Sequence, residues 1–136
     1  MRENTQTINK GQSITDSERR KGEAKIIMNL FKKWNLDGET KLILLGQSPK
    51  SRQNLIRYQN GAPLPKGRDM EDRVGWLLSI HKALRLLYPE NENTRYSWVN
   101  KRNKMFDNYT PVEIMKEQGI IGIAKVARYL DYYRGQ

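Results

Sequence analysis

Val74-Gly75-Trp76-Leu77-Leu78-Ser79-Ile80-His81-Lys82-Ala83-Leu84-Arg85-Leu86-Leu87-Tyr88-Pro89 is the stretch on which the fold turns. Val74, Leu77, Leu78, His81, Leu84 and Leu87 recur at three- and four-residue intervals, the spacing that lines up one face of an α-helix. Trp76, Ile80, Ala83 and Leu86 widen that face, and a helix apolar over so much of its circumference belongs at the centre of a bundle. Asp69 opens this segment. Pro89 and the polar run Glu90 to Thr94 close it, because proline cannot continue a helix and the polar residues favour turns.

On the N-terminal side, Ala24, Ile27, Met28, Phe31 and Trp34 place another helix from Glu18 to about Asn35. Asp37 suits the N-cap of a short helix over 38–45 with Leu42 and Leu45 turned inward, and Gly46 can end it in a left-handed conformation. Ser48 and Pro49 then read as N-cap and first residue of a third helix that stops before Asn60-Gly61. The expectation is helix, tight turn, helix. Pro63 and Pro65 make 61–67 a loop. On the C-terminal side a short helix carries Tyr96, Trp98 and Val99. Thr110-Pro111 repeats the cap-then-proline signature ahead of Val112, Ile114 and Met115, and Gly119 stops that helix. The last helix lines up Ile120, Ile123, Ala124, Ala127 and Leu130. No strand alternation or internal repeat interrupts the series, so the fold class is all-α.

The 136 residues suit one domain or one domain with an appendage, and the formal net charge of +10 makes a polyanionic partner plausible. Its distribution is more telling than its size. No acid lies between Glu39 and Asp69, an interval that holds Lys41, Lys50, Arg52, Arg57, Lys66 and Arg68. In a helix-turn-helix the second helix presents its early residues to base edges in the major groove. Lys50, Ser51, Arg52, Gln53 and Asn54 occupy those turns, with chemistry suited to guanine, adenine or phosphate, and Arg57 one turn later suits a phosphate. The competing reading is a solvated face on an ordinary helical hairpin. The acid-free interval weighs toward DNA.

Other chemistry is poorly supported. The absence of cysteine removes disulfides, thiolate nucleophiles and Cys-based zinc sites, and suits a reducing cytoplasm. His81 is the lone histidine and reads as a buried, hydrogen-bonded core residue, because Glu71, Asp72 and Glu90 are too scattered to join it as metal ligands. No catalytic triad order, phosphate-binding glycine loop or dinucleotide fingerprint is present, so neither an enzyme nor a cofactor is expected. No apolar run approaches the roughly 20 residues that span a bilayer, and Met1 to Ser17 lacks the apolar core of a secretory signal and reads as a flexible extension. A cytoplasmic protein with no membrane partner is expected. Trp98 and Phe106 are assigned to packing, and Tyr132-Tyr133 to the surface.

From Trp76 onward the chain resembles the Xre/MbcA/ParS antitoxin family, whose members pair with RES-class toxins. Leu77 to Pro89 resembles the helix these antitoxins carry before their toxin-binding region. Trp98-Val99, Asn103, Phe106, the helix from Pro111 to Met115 and Val126-Ala127-Arg128-Tyr129-Leu130-Asp131 continue the likeness in order, over roughly residues 20–135. Where the family often has a Gly-Gly or Gly-Arg turn before its next helix, Asp107-Asn108-Tyr109 stands here; Asn also tolerates the left-handed conformation, so the turn can survive.

The resemblance implies a flexible extension over 1–17, an Xre-like helix-turn-helix DNA-binding domain over 18–89 and a toxin-binding domain over 90–136. It further implies a homodimer within a hetero-oligomeric complex, in which the cognate RES-domain toxin, an enzyme that consumes NAD, is blocked sterically while the antitoxin represses its own operon by binding operator DNA. Arg102, Asn103, Arg128, Tyr132, Arg134 and Gly135 are the expected toxin contacts, Arg being favoured at interfaces. The alternative is a stand-alone DNA-binding transcription regulator whose C-terminal part dimerises or binds an unrelated partner.

Overall fold

The computed structural model describes residues 14–135, and among them the chain is all-helical. Its elements in order are α1 (Asp16–Lys33), α2 (Gly38–Leu44), α3 (Arg52–Gln59), α4 (Arg68–Leu87), α5 (Glu92–Ser97), two single-turn 3₁₀ segments, α6 (Pro111–Gln118) and α7 (Ile120–Arg134). Most of the 1–17 extension lies outside the described residues. Its last residues do not: Thr15 caps α1 with its hydroxyl while Glu18 reaches back to the Thr15 backbone N–H, a reciprocal capping box that starts the helix at Asp16.

Three consecutive helices end in the same way, and this fixes the path of the N-terminal half. After α1 the N–H of Asn35 donates to Lys32 and that of Leu36 to Phe31. After α2 Gly46 donates to Ile43 and Gln47 to Leu42, and after α3 Gly61 donates to Tyr58 and Ala62 to Arg57. Each is a Schellman motif that needs a left-handed residue, supplied by Asn35 (φ 58°), Gly46 (φ 74°) and Gly61 (φ 101°). At Gly46 the requirement is double, because a side chain there would also meet the guanidinium of Arg73. Arg73, held by Asp69 at 2.8 Å, donates to the Leu44 carbonyl at 3.1 Å and so ties α4 to the open end of α2.

The third helix begins later than the sequence suggests. Ser48 to Ser51 forms a turn, with Ser51 N–H donating to the Ser48 carbonyl at 3.0 Å and Lys50 N–H to the Ser48 hydroxyl at 3.2 Å, and α3 starts only at Arg52. Pro49 permits both outcomes, since its fixed φ serves the second position of a turn as well as the first of a helix. The link between α2 and α3 is therefore longer than a tight helix-turn-helix turn of three or four residues. A side-chain network braces it: Gln47 donates to the buried Tyr58 hydroxyl at 2.7 Å and accepts from Asn54 at 3.2 Å.

α4 is central, as its apolar breadth requires. It packs most extensively on α7 and also touches α1 and α5, while α1 covers α3, and α2 leans on α6. One core results, running from Ala24, Phe31 and Trp34 through Leu64, Leu77 and Ile80 to Met115, Ile123 and Leu130. It continues across the helix break at Pro89. Asn100 adds a polar tie between the two ends of the chain, donating to the Trp34 carbonyl at 2.7 Å. Two members of the α4 stripe differ from expectation: Leu86 is exposed, and His81 is half-buried. The His81 ring stacks on Tyr96 at 6.1 Å and makes no hydrogen bond. Burial, then Arg85, Arg95 and Lys33, push its pKa below the usual histidine value.

Candidate functional site

The C-terminal helix carries the clearest exposed amphipathic face. Gly122, Ile123, Ala124, Val126, Ala127 and Leu130 are buried against the core. Opposite them Ile121 (72% exposed), Lys125, Arg128 and Tyr132 (69% exposed) follow at intervals of four, three and four residues, which stacks them along one side of α7 over about 16 Å. Solvation alone does not account for an isoleucine and a tyrosine at the two ends of that row. Arg128 lies with its guanidinium 5.3 Å from the Trp76 ring, so this contact joins the row to α4.

Beside it stands an aromatic group that ties α7 to the residues ahead of α6. Tyr129 stacks on Trp98 at 6.3 Å and on Tyr133 at 6.0 Å and meets Phe106 in a T-shaped contact at 5.2 Å. Trp98 and Phe106 are thus packing residues, as expected. Tyr88 belongs to the same neighbourhood, where burial, helped by Tyr133 and Tyr129, raises its pKa.

The six sequence-predicted contacts of this region divide into two groups. Arg128 and Tyr132 share the exposed row of α7, Arg134 follows in the last turn paired with Asp131 at 2.6 Å, and Gly135 caps the helix. Arg102 and Asn103 stand on the 101–109 loop and are engaged within it. Arg102 donates to the Asn108 carbonyl at 2.9 Å, and the Asn103 carboxamide oxygen accepts from Met105 N–H at 2.9 Å. Asn103 also pairs with Tyr109 through the backbone, while Asp107 (φ 54°) and Asn108 (φ 68°) make the left-handed corner that lets the chain reverse. The Asp107-Asn108 turn therefore performs the backbone task for which glycine is the usual choice. Exposed on this loop are Tyr109, the tyrosine of the turn noted in the sequence, and Met105, which the sequence reading did not single out, and Ile121 was missed on α7. Ile121 sits in the run Ile120 to Ala124, and only its helical phase distinguishes it from its buried neighbours.

The second candidate surface is the outer face of α3. Arg52, Gln53, Ile56 and Arg57 are exposed there, while Leu55 and Tyr58 face the core. Lys50 is exposed in the preceding turn, and Ser51 is half-buried at the helix start without a side-chain cap bond. Asn54 is drawn inward: its amide donates to Gln47 and its oxygen accepts from Arg57 at 3.5 Å, so both ends of the carboxamide are already engaged. Arg52 and Gln53 make no side-chain hydrogen bond among the described residues, and Arg57 makes only the long one to Asn54.

The arrangement is that of a small helical protein with one exposed row on the C-terminal helix and one basic face near the middle of the chain. Residues 83–135 match the antitoxin Xre/MbcA/ParS C-terminal toxin-binding domain, a segment that begins in the second half of α4 and ends at the last described residue. The chain belongs to the Xre/MbcA/ParS antitoxin family. The uncharacterized protein y4oB of Sinorhizobium fredii is 30% identical over 132 residues, which covers 96% of this chain and 98% of that relative. No solved structure matches the chain at a significant level. No helix among the described residues is long and apolar enough to cross a membrane.

Proposed function

We propose that this antitoxin neutralises a RES-class, NAD-consuming toxin by laying the exposed row of α7 across the mouth of the toxin's NAD pocket. The observation that supports this most directly is the row itself. Within the toxin-binding segment, Ile121, Lys125, Arg128 and Tyr132 form an amphipathic strip on a helix whose other side is locked into the core. Apolar and aromatic residues flanking cations fit the composition of interface hot spots, where Tyr and Arg carry much of the affinity. Inhibition is steric and needs no catalytic residue.

Repression of its own operon completes the proposal. Two copies, held as a dimer in the toxin complex, place two α3 helices in successive major grooves of a roughly palindromic operator. Arg52 and Gln53 are the base-reading candidates, Arg57 and Lys50 contact phosphate, and Asn54 serves to position Gln47 and Arg57 rather than to read a base. A cytoplasmic location follows from both partners.

The test is co-expression with the neighbouring toxin gene, scored by growth and co-purification. A truncation at Asp107 would remove Val112, Met115, Ile123 and Leu130 from the core, so surface substitutions are the cleaner probe. Ile121→Asp with Tyr132→Asp is expected to abolish rescue and complex formation while leaving the melting temperature unchanged. Rescue by the double variant would refute α7 as the blocking element. Failure of the wild-type chain to rescue or bind would leave a DNA-binding regulator.

A further inference from the structure

The charge tally along the sequence gives residues 1–39 an excess of only two cations, yet α1 sorts its charges by side. Asp16 is held by Arg19 and Arg20 at 2.8 Å each, Glu23 by Arg19 at 2.9 Å, and Glu18 is the reciprocal member of the capping box. Every acid of this helix is therefore engaged by a local partner. Three of its lysines are not. Among the described residues Lys21, Lys25 and Lys32 make no ion pair or hydrogen bond, and all three line an open trough of about 930 Å³ between α1 and the end of α3. Lys41 of α2 adds a fourth ammonium, Asn29 and Asn60 add amides, and no carboxylate among the described residues lines the trough, although Glu18 and Asp37 act on Lys21 and Lys41 from a distance.

The chemistry of this lining selects its ligand. Lysine is a compact, hydrated point charge that suits phosphate without demanding planar geometry, and a line of them reads charge rather than sequence. From Lys21 to Lys32 the row extends about 16 Å along α1, a length suited to several successive phosphates rather than one small anion. The trough meets α3 at Tyr58 to Gly61, about 12 Å along the helix from Arg52, which matches the roughly 12 Å width of a major groove. A duplex read by the first turn of α3 thus brings one flanking strand to the trough.

We infer that the four-lysine trough between α1 and the C-terminal end of α3 is a phosphodiester track that holds one strand of duplex DNA without regard to sequence. The inference rests on the reading of α3 as the DNA-recognition helix. It assigns to α1 a share of the binding that a residue count along the chain conceals.

The experiment is fluorescence anisotropy with the full chain, using a duplex from upstream of its own gene and a scrambled duplex of equal length, from about 50 to about 300 mM salt. Lys21→Gln/Lys25→Gln/Lys32→Gln is expected to weaken both duplexes by the same factor. It should also flatten the plot of log K against log salt by about 2.7, or about 0.9 per lost phosphate contact. Arg52→Ala should instead shrink the difference between the duplexes, and Lys82→Gln on α4 should change neither quantity. Wild-type binding with an unchanged slope in the triple variant would overturn the track while leaving α3 in place. A wild-type chain that binds neither duplex would overturn the recognition helix as well, and a single Lys25→Gln variant with a slope reduced by about 0.9 guards against misfolding of the triple.

Discussion

Gly122 offers a direct test of how α7 is seated. It is buried in the first turn of α7, and a β-carbon placed there would press against the Ile114 backbone carbonyl and come within 2.8 Å of Gln118 Cβ. Carbon contacts are comfortable at about 3.5–4.0 Å, so Gly122→Ala forces α7 away from α6 by roughly 1 Å. A gap of that size forfeits a quarter to a half of the dispersion attraction of the atoms that line it, among them buried Ile123 and Val126. Overpacking costs about 1–3 kcal/mol, and a backbone obstacle that cannot rotate aside puts this site at or above the upper end. Replacing a helical glycine by alanine returns about 1 kcal/mol of helix propensity. The net is a loss of about 2 kcal/mol, or roughly 8 °C in melting temperature for a chain of this length. Gly75→Ala, on α4 with nothing within 4 Å, should gain the propensity without the clash and melt a few degrees higher. Thermal unfolding of the two variants side by side decides it. If Gly122→Ala melts at or above the wild type, the close crossing of α6 and α7 is not what holds the toxin-binding helix in place.

Two further perturbations address local devices. Thr110→Ala removes the hydroxyl that accepts from Glu113 N–H at 3.0 Å but keeps the Thr110 N–H that donates to the Glu113 carboxylate, so it should cost about 1 kcal/mol in urea unfolding; an unchanged midpoint would make the hydroxyl half of the α6 capping box irrelevant. The second concerns His81, which faces Lys33, Arg85, Arg95 and the Tyr96 ring. Its folded pKa lies below its unfolded value of about 6.5, so the unfolded chain takes up the proton first, and stability is complete above that pH and declines as pH falls through it. His81→Gln should remove the part of the slope that appears between about pH 7.5 and about pH 5.5, and an identical slope in the variant would refute the assignment.

What the sequence shows well in this chain is set by short-range physics. The Thr110-Pro111 start of α6, the Asp37 cap of α2 and the left-handed exits at Gly46 and Gly61 each depend on a few neighbouring residues and appear where those residues place them. Ser48-Pro49 shows the limit of the same signal, because a turn and a helix start ask the same φ of proline, and the turn seen here is accompanied by the Gln47–Tyr58 contact that only the fold brings together. Functional surfaces depend on long-range arrangement and are correspondingly hidden. The exposure of Ile121 depends on the phase of α7, and the Gln47 partner of Asn54 and the Asn108 carbonyl partner of Arg102 come from residues several positions away. The lysines of α1 are the clearest instance. Counted in sequence they are nearly cancelled by Asp16, Glu18 and Glu23, but a helix separates residues a few positions apart onto different sides, and Arg19 and Arg20 gather the acids away from the trough. Net charge per segment therefore understates the basic surface wherever arginine and lysine lie on opposite faces of one helix, and the basic surface of this protein extends over α1 as well as over the acid-free interval that contains α3.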